Sequence, residues 1–401
     1  MSSSDNDKQS SFTSFSGYNM PLNITEELDE DVEPDVTRDC RNVSFEPFRF
    51  LPTSNVLDLK DQPNFQSVEP TAIKCGNFKV SSNSSTQPLT VDDVAWKLEC
   101  APALPDYHLL DDDSVFVENT SAREIAGRLC QVLKELSIEA TFDVVKAKAR
   151  CFTLDHVDFR IFLYSGKGQF SNGIIVEVQR RDGSSPNFRR EVSGILDAAM
   201  GKSLTYAPAM VSKCEVPVAQ FAADDYGATD ALASIQSASK LLKQDAYCSK
   251  LLALQILYSS TEPSKMGKNT AVLISQALLD PSNEIGDIVI SNCTTSDIED
   301  SLSPLALSVL ANALNAVPGK VCSRHRSVLL PILIQYLEDA TASPRMAYFA
   351  AKCLEPMLRQ ESYSTSEILS ALSVAKRVGE LKHNALSDQA KSCMSLINMV
   401  H

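Results

Sequence analysis

The chain has 401 residues, an apolar fraction of 44 % and a formal net charge of -14. That length admits two or three domains, and the apolar fraction is that of a globular protein with a real core. The acidic balance argues against nucleic acid as a partner of the whole molecule, while leaving room for a local basic surface.

The opening residues, MSSSDNDKQSSFTS, lack the basic and apolar regions of a secretory signal. The most apolar helical stretch, Val328 to Leu337, is too short to span a bilayer. Both features predict a cytoplasmic chain with no transmembrane segment. The eleven cysteines are odd in number, scattered and without a CxxC pair, which fits small buried hydrophobes better than metal or redox chemistry. Residues 1–43 are polar and then acidic in ITEELDEDVEPD (Ile24 to Asp35), so they have little to bury and are expected to form a disordered acidic arm. Residues 44–113 read as an extended segment. It begins with SFEPFRFLP, where Phe45, Phe48 and Phe50 stand out in polar surroundings. They read either as a docking motif for a partner or as a clasp on the folded part. Ser81 to Pro88, SSNSSTQP, is a linker, and Trp96, the only tryptophan, is expected to anchor its segment to a core.

Residues 114–202 form the first compact unit, of α+β class. SVFVE reads as a strand. Ser121 opens a helix with a capping box to Glu124, and Ile125, Leu129, Val132, Leu133 and Leu136 repeat at helical spacing. The period then falls to two. In VVKAKARCF, Val145, Ala147, Ala149 and Cys151 share one strand face while Lys146, Lys148 and Arg150 share the other. In VDFRIFL, Val157, Phe159, Ile161 and Leu163 line one face. Ile174 to Arg180 makes the next strand, Asp182-Gly183 a turn, and Ser185-Pro186 starts a second helix with Phe188, Val192, Ile195 and Leu196 inward. The predicted order is strand, helix, three strands, helix: an antiparallel sheet with two helices on one face.

The leading Phe116 strand, the EIAGRLCQVLKEL helix, the VKAKAR and VDFRIFL strands and the IVEVQRRDGSSPNFRREVSGIL ending together resemble the kinase-associated-one domain family. That resemblance implies a non-catalytic unit that contacts anionic phospholipid through basic positions. The matching candidates are Lys146, Lys148, Arg150, Arg180, Arg181, Arg189 and Arg190. Strict alternation puts Arg180 on the side of Val176 and Val178 unless a strand end or bulge frees it. Asp143, Glu177, Asp182 and Glu191 are close enough in sequence to pair with the patch as ordinary salt bridges. No HRD, DFG or glycine-rich ATP loop accompanies the unit.

Residues 203–226 are a Pro- and Ala-containing linker. Residues 227–401 are helical throughout, with Leu251 to Leu257 expected to be buried on all sides. Similar helix starts at Pro304, Pro344 and near Leu386 give a period of about 40 residues, the range of repeat arrays. RSVLLPILIQYLEDATASPRMAYFAAKCLEPML resembles an armadillo or HEAT unit, which implies stacked helices that bind a protein; an irregular bundle is the alternative.

Catalytic and cofactor signatures are absent. Gly201-Lys202-Ser203 lacks the earlier glycine of a phosphate loop, since Leu196 stands there. The five histidines are isolated, and Asp111 to Asp113 has no partner histidine or nucleophile. No cofactor and no metal are expected. The sequence therefore predicts an adaptor or scaffold. Its basic α+β unit contacts an anionic surface, phospholipid or phosphoprotein, and its repeats hold a protein partner, with peripheral contact to an anionic membrane. The alternative is a purely protein-binding regulatory subunit, such as one of a kinase complex.

Overall fold

A computed structural model describes residues 95–110, 112–202, 226–293, 302–318, 322–360 and 365–400. These belong to one compact unit, Lys74–His401. The acidic arm, Phe45, Phe48 and Phe50, the SSNSSTQP stretch, Asp111 and all but the last residue of the 203–226 linker lie outside the described residues.

The α+β part runs β1 (Ser114–Glu118), α1 (Ala122–Glu135), β2 (Glu139–Asp143), β3 (Lys148–Phe152), β4 (Asp158–Ser165), β5 (Gly173–Asp182) and α2 (Ser185–Ala199). The sheet is antiparallel, in the order β1-β5-β4-β3-β2. Period-two alternation sends Ala149, Cys151, Phe159, Ile161, Leu163, Val176 and Val178 to an inner face, where they form one buried cluster with Ile125, Leu129 and Val132 of α1 and Phe188, Val192 and Ile195 of α2. The capping box is half made: the Ser121 hydroxyl accepts from the Glu124 N–H at 3.2 Å. Trp96 is buried in the same cluster and stacks on Phe142 at 5.1 Å.

Two expectations need correction. Four strands follow α1, not three, because β2 was hidden in EATFD, whose only inward residues are Ala140 and Phe142. The predicted strand VVKAKARCF starts only at Lys148. Val144 to Ala147 make the β2–β3 turn, closed by the Lys146 N–H donating to the Asp143 carboxylate at 2.9 Å, with Ala147 at φ 46°. Lys146 therefore sits on a turn rather than a strand, and Val145 is exposed rather than inward.

The helical part comprises α3 (Tyr226–Leu242), α4 (Tyr247–Thr261), α5 (Pro263–Met266), α6 (Lys268–Leu279), α7 (Glu284–Asn292), α8 (Leu302–Ala316), α9 (Ser323–Glu338), α10 (Pro344–Leu358), α11 (Thr365–Lys382) and α12 (Asn384–Val400). Helices α7/α8, α9/α10 and α11/α12 pack as neighbours, and each also packs on the next pair. Two stacks result: α8, α10 and α12 in one, α7, α9 and α11 in the other. The helix buried on all sides is α8, whose LSPLALSVLANALNA is rich in small residues that admit neighbours all round. The expected candidate, Leu251 to Leu257 in α4, has Leu252 exposed.

The sheet is joined to the α8–α10–α12 stack. The β3–β4 turn carries Leu154 into the helical core. In the same turn the His156 ring stacks on Phe349 of α10 at 5.6 Å, meets Tyr258 of α4 edge-on at 5.0 Å and bonds the Ser308 hydroxyl of α8 at 3.0 Å. Before β2, Ser137 stands at φ 58° and its hydroxyl accepts from the Ala385 N–H at the start of α12, at 2.8 Å. Glu139 sits at the start of α10. Its carboxylate accepts from the Ser343 hydroxyl at 2.8 Å and the Arg345 N–H at 3.0 Å. The sheet unit thus supplies acceptors to the free N–H groups of two helices in the array. The Gly183 turn backs this joint: with φ 94°, its missing Cβ would lie 2.7 Å from the His156 carbonyl.

Candidate anion-binding face

With α1 and α2 on the inner face, the outward positions of β3, β4 and β5 form the other face. Register places Lys148 opposite Phe162, and Phe162 opposite Glu177. The next row is Arg150, Arg160 and Gln179. The Lys148 ammonium lies 5.6 Å from the Phe162 ring centre, and Phe162 stacks on Tyr164. Partial burial, then the charges of Arg160, Lys146 and Arg181, hold the Lys148 amine below the usual lysine range, against Asp143. Arg181 is also within electrostatic reach of Tyr164 and donates to the Gln179 side chain at 2.9 Å, so it belongs to this face.

The carboxylates of this face are each engaged. Asp158 is hydrogen-bonded to Arg160 and lies 3.8 Å from Arg150. Glu177 is buried and bonded to His108 at 3.0 Å. Lys146, Lys148, Arg150, Arg160 and Arg181 share this face with Asp143, Asp158, Glu177 and, at the strand ends, Glu139 and Asp182, which are taken up by the start of α10 and by the Gly183 N–H. Arg160 lies deepest, and Lys146 and Arg181 are exposed.

The seven predicted cations therefore divide. Lys146, Lys148, Arg150 and Arg181 come together. Arg181 reaches the other three from the end of β5, while Arg180 takes the inward side and Arg189 and Arg190 lie on α2. The regular register keeps Arg180 opposite Phe159, the inward side, and the shift at Asp158 falls just beyond it; at this strand end the side chain is exposed and donates to the Gly183 carbonyl at 2.6 Å. Arg190 is held by Asp155 at 2.6 Å and Glu191 at 2.9 Å, which clamps the β3–β4 turn. Those two carboxylates raise its guanidinium against an opposing burial effect, the largest single influence. Arg189 is exposed on the second turn of α2. Arg160 was missed, although alternation around Phe159 and Ile161 in VDFRIFL already turned it outward.

A strap before β1 borders the face. The Leu104 N–H donates to the Ser165 carbonyl at 3.0 Å, and Lys167 pairs with Asp106 at 3.0 Å. His108 turns inward, to Glu177 and to the Tyr164 ring at 5.3 Å, while its neighbours Tyr107 and Leu109 project into solvent.

Among the described residues, no group of three or more His, Cys, Asp or Glu side chains is placed to hold a metal, and no helix is long and apolar enough to cross a membrane. The buried thiols of Cys151, Cys293, Cys353 and Cys393 are pushed upward by burial, away from the reactive thiolate form. The chain matches no known protein-family model and no curated protein.

Proposed function

We propose that the protein is a non-catalytic adaptor. Its kinase-associated-one-like unit engages an anionic phospholipid surface through the outer face of the sheet, and its armadillo/HEAT-like array holds a protein partner. The observation that carries this reading is the convergence of Lys146, Lys148 and Arg181, backed by Arg160, in a chain whose net charge is -14. A polybasic surface gains about 1 kcal/mol per cation near an anionic leaflet. The same chain would then hold its protein partner at a raised effective concentration beside the membrane. The α8–α10–α12 stack already receives His156, Glu139 and Ser137, so we assign the partner surface to the α7–α9–α11 stack.

The test is sedimentation of the full chain with vesicles of phosphatidylcholine alone and of equimolar phosphatidylserine and phosphatidylcholine, across salt. Binding confined to the anionic vesicles, fading with salt and with Lys148→Gln/Arg181→Gln, is the expected result. A well-folded chain that binds neither vesicle but keeps a stoichiometric protein partner at high salt would be a purely protein-binding regulatory subunit instead.

A further inference from the structure

The β2–β3 turn lies at the end of β3 opposite the joint with the helical array. β3 has five residues, so about 16 Å of strand separates the two ends. At the joint end the β3–β4 turn is packed against α4, α8 and α10. At the free end Val144 and Val145 stand on the turn, 47 % and 90 % exposed. A β-branched apolar side chain on a turn has neither strand packing nor helix packing to justify it. The strap adds Leu109, 83 % exposed, and a fully exposed Tyr107. Among the described residues, only Met399 near the chain end joins Tyr107, Val145 and Leu109 as a large apolar side chain more than three-quarters exposed. Scattered exposed apolar residues are ordinary; two adjacent exposed valines next to the basic Lys146 and Lys148 are not.

We propose that this end inserts into the anionic bilayer, with Val144 and Val145 entering the acyl boundary while Lys146 and Lys148 hold the headgroup phosphates and Arg181 adds attraction from farther up the same face. The inference rests on the membrane reading of the basic face and adds how that face is seated. The chemistry separates the two layers of a leaflet: the turn presents methyl groups first, and Lys146 and Lys148 stand one and three residues behind Val145. A phosphoprotein offers the cations a partner but gives two solvent-exposed valines nothing to enter. The array, fixed to the opposite end of the sheet, faces away from the membrane.

The experiment uses the full chain and vesicles of equimolar phosphatidylserine and phosphatidylcholine. Val144→Ser/Val145→Ser is compared with the parent and with Lys148→Gln/Arg181→Gln. In parallel, Val145→Trp is titrated with the same vesicles made from brominated phosphatidylcholine; the parent's single tryptophan, buried Trp96, supplies the background. Insertion predicts that the serine pair weakens vesicle affinity by at least about tenfold with an unchanged salt slope, that the glutamine pair flattens the salt slope, and that bromine quenches Trp at position 145. If the parent binds these vesicles but the serine pair binds equally well and Val145→Trp is not quenched, insertion is wrong and the anionic-surface reading stands. If the parent does not bind at all, both fall. Should the serine pair unfold, the quenching result alone decides.

Discussion

The two turns that flank β3 are built alike and end in opposite situations. Each carries a non-glycine residue with positive φ, Ala147 at 46° and His156 at 59°. Yet the turn with the valines is exposed, and the turn with the histidine is packed between three helices. Side-chain polarity does not decide which turn is covered. The β3–β4 turn carries groups that satisfy a buried setting: an aromatic ring for Phe349, a ring nitrogen for Ser308, and Asp155 for Arg190. The β2–β3 turn is closed by Asp143 and Lys146 and held to β4 only through the Ala147 carbonyl, which accepts from the Leu163 N–H at 3.0 Å. One end of the sheet is finished within the chain, and the other presents what a partner would have to finish.

Stability measurements should break the symmetry most sharply. Phe349→Ala removes the ring under His156 and is expected to cost about 3–5 kcal/mol in urea unfolding, whereas Val145→Ser should stay within about 0.5 kcal/mol. Equal effects at the two ends would mean that the joint is not part of the cooperative unit.

Acid titration should single out the joint next. Burial, then the charges of Arg345 and Lys265, hold the His156 imidazole down to about 3; its other close contacts are Ser308, Tyr258 and Phe349. Burial first, then Arg345, holds His383 down to about 4, opposed by its hydrogen bond to the backbone. The unfolded chain takes up these protons near pH 6.5 and the folded chain does not. The penalty is therefore absent above that pH, grows as pH falls, and levels off below about 3–4. At pH 5 it reaches up to about 2 kcal/mol for each histidine. His156→Phe should flatten part of the acid limb of a stability profile; an unchanged profile would place the titration elsewhere.

Vesicle binding sharpens the contrast between the two groups of cations. Lys148→Gln/Arg181→Gln should lose about 2 kcal/mol, roughly thirtyfold in affinity, while Arg180→Gln/Arg189→Gln should change little. Equal losses would return all the arginines to one surface. The smallest expected effect is at the helix starts. Ser137→Ala should cost about 1 kcal/mol by leaving the Ala385 N–H without its acceptor, as read by chemical denaturation.

The alternation of VDFRIFL and of KARCF, the helical spacing from Ile125 to Leu133 and the repeat of helix starts were legible because each is a local period that burial enforces. Leu302, Pro344 and Asn384 open α8, α10 and α12 close to the expected positions. β2 was not legible, since two inward residues make too short a pattern to separate from a turn. Nor was the division of the arginines: whether Arg190 is free depends on Asp155, 35 residues away, and on where the β3–β4 turn comes to rest. The joint left the least trace. Glu139, Ser137 and His156 are ordinary polar residues in sequence, and their roles appear only when helix starts from more than 200 residues later, or a ring from α10, are brought against them.

That joint also predicts that the two parts hold together without an intact peptide connection between them. A chain cut between Lys202 and Tyr226 would yield one fragment presenting His156, Leu154, Ser137 and Glu139, and another presenting Phe349, Ser308 and the open starts of α10 and α12. Each fragment has the groups the other lacks, so the pieces are expected to remain together after cleavage and to reassemble when made separately. The buried joint would then serve as the bond between the two parts.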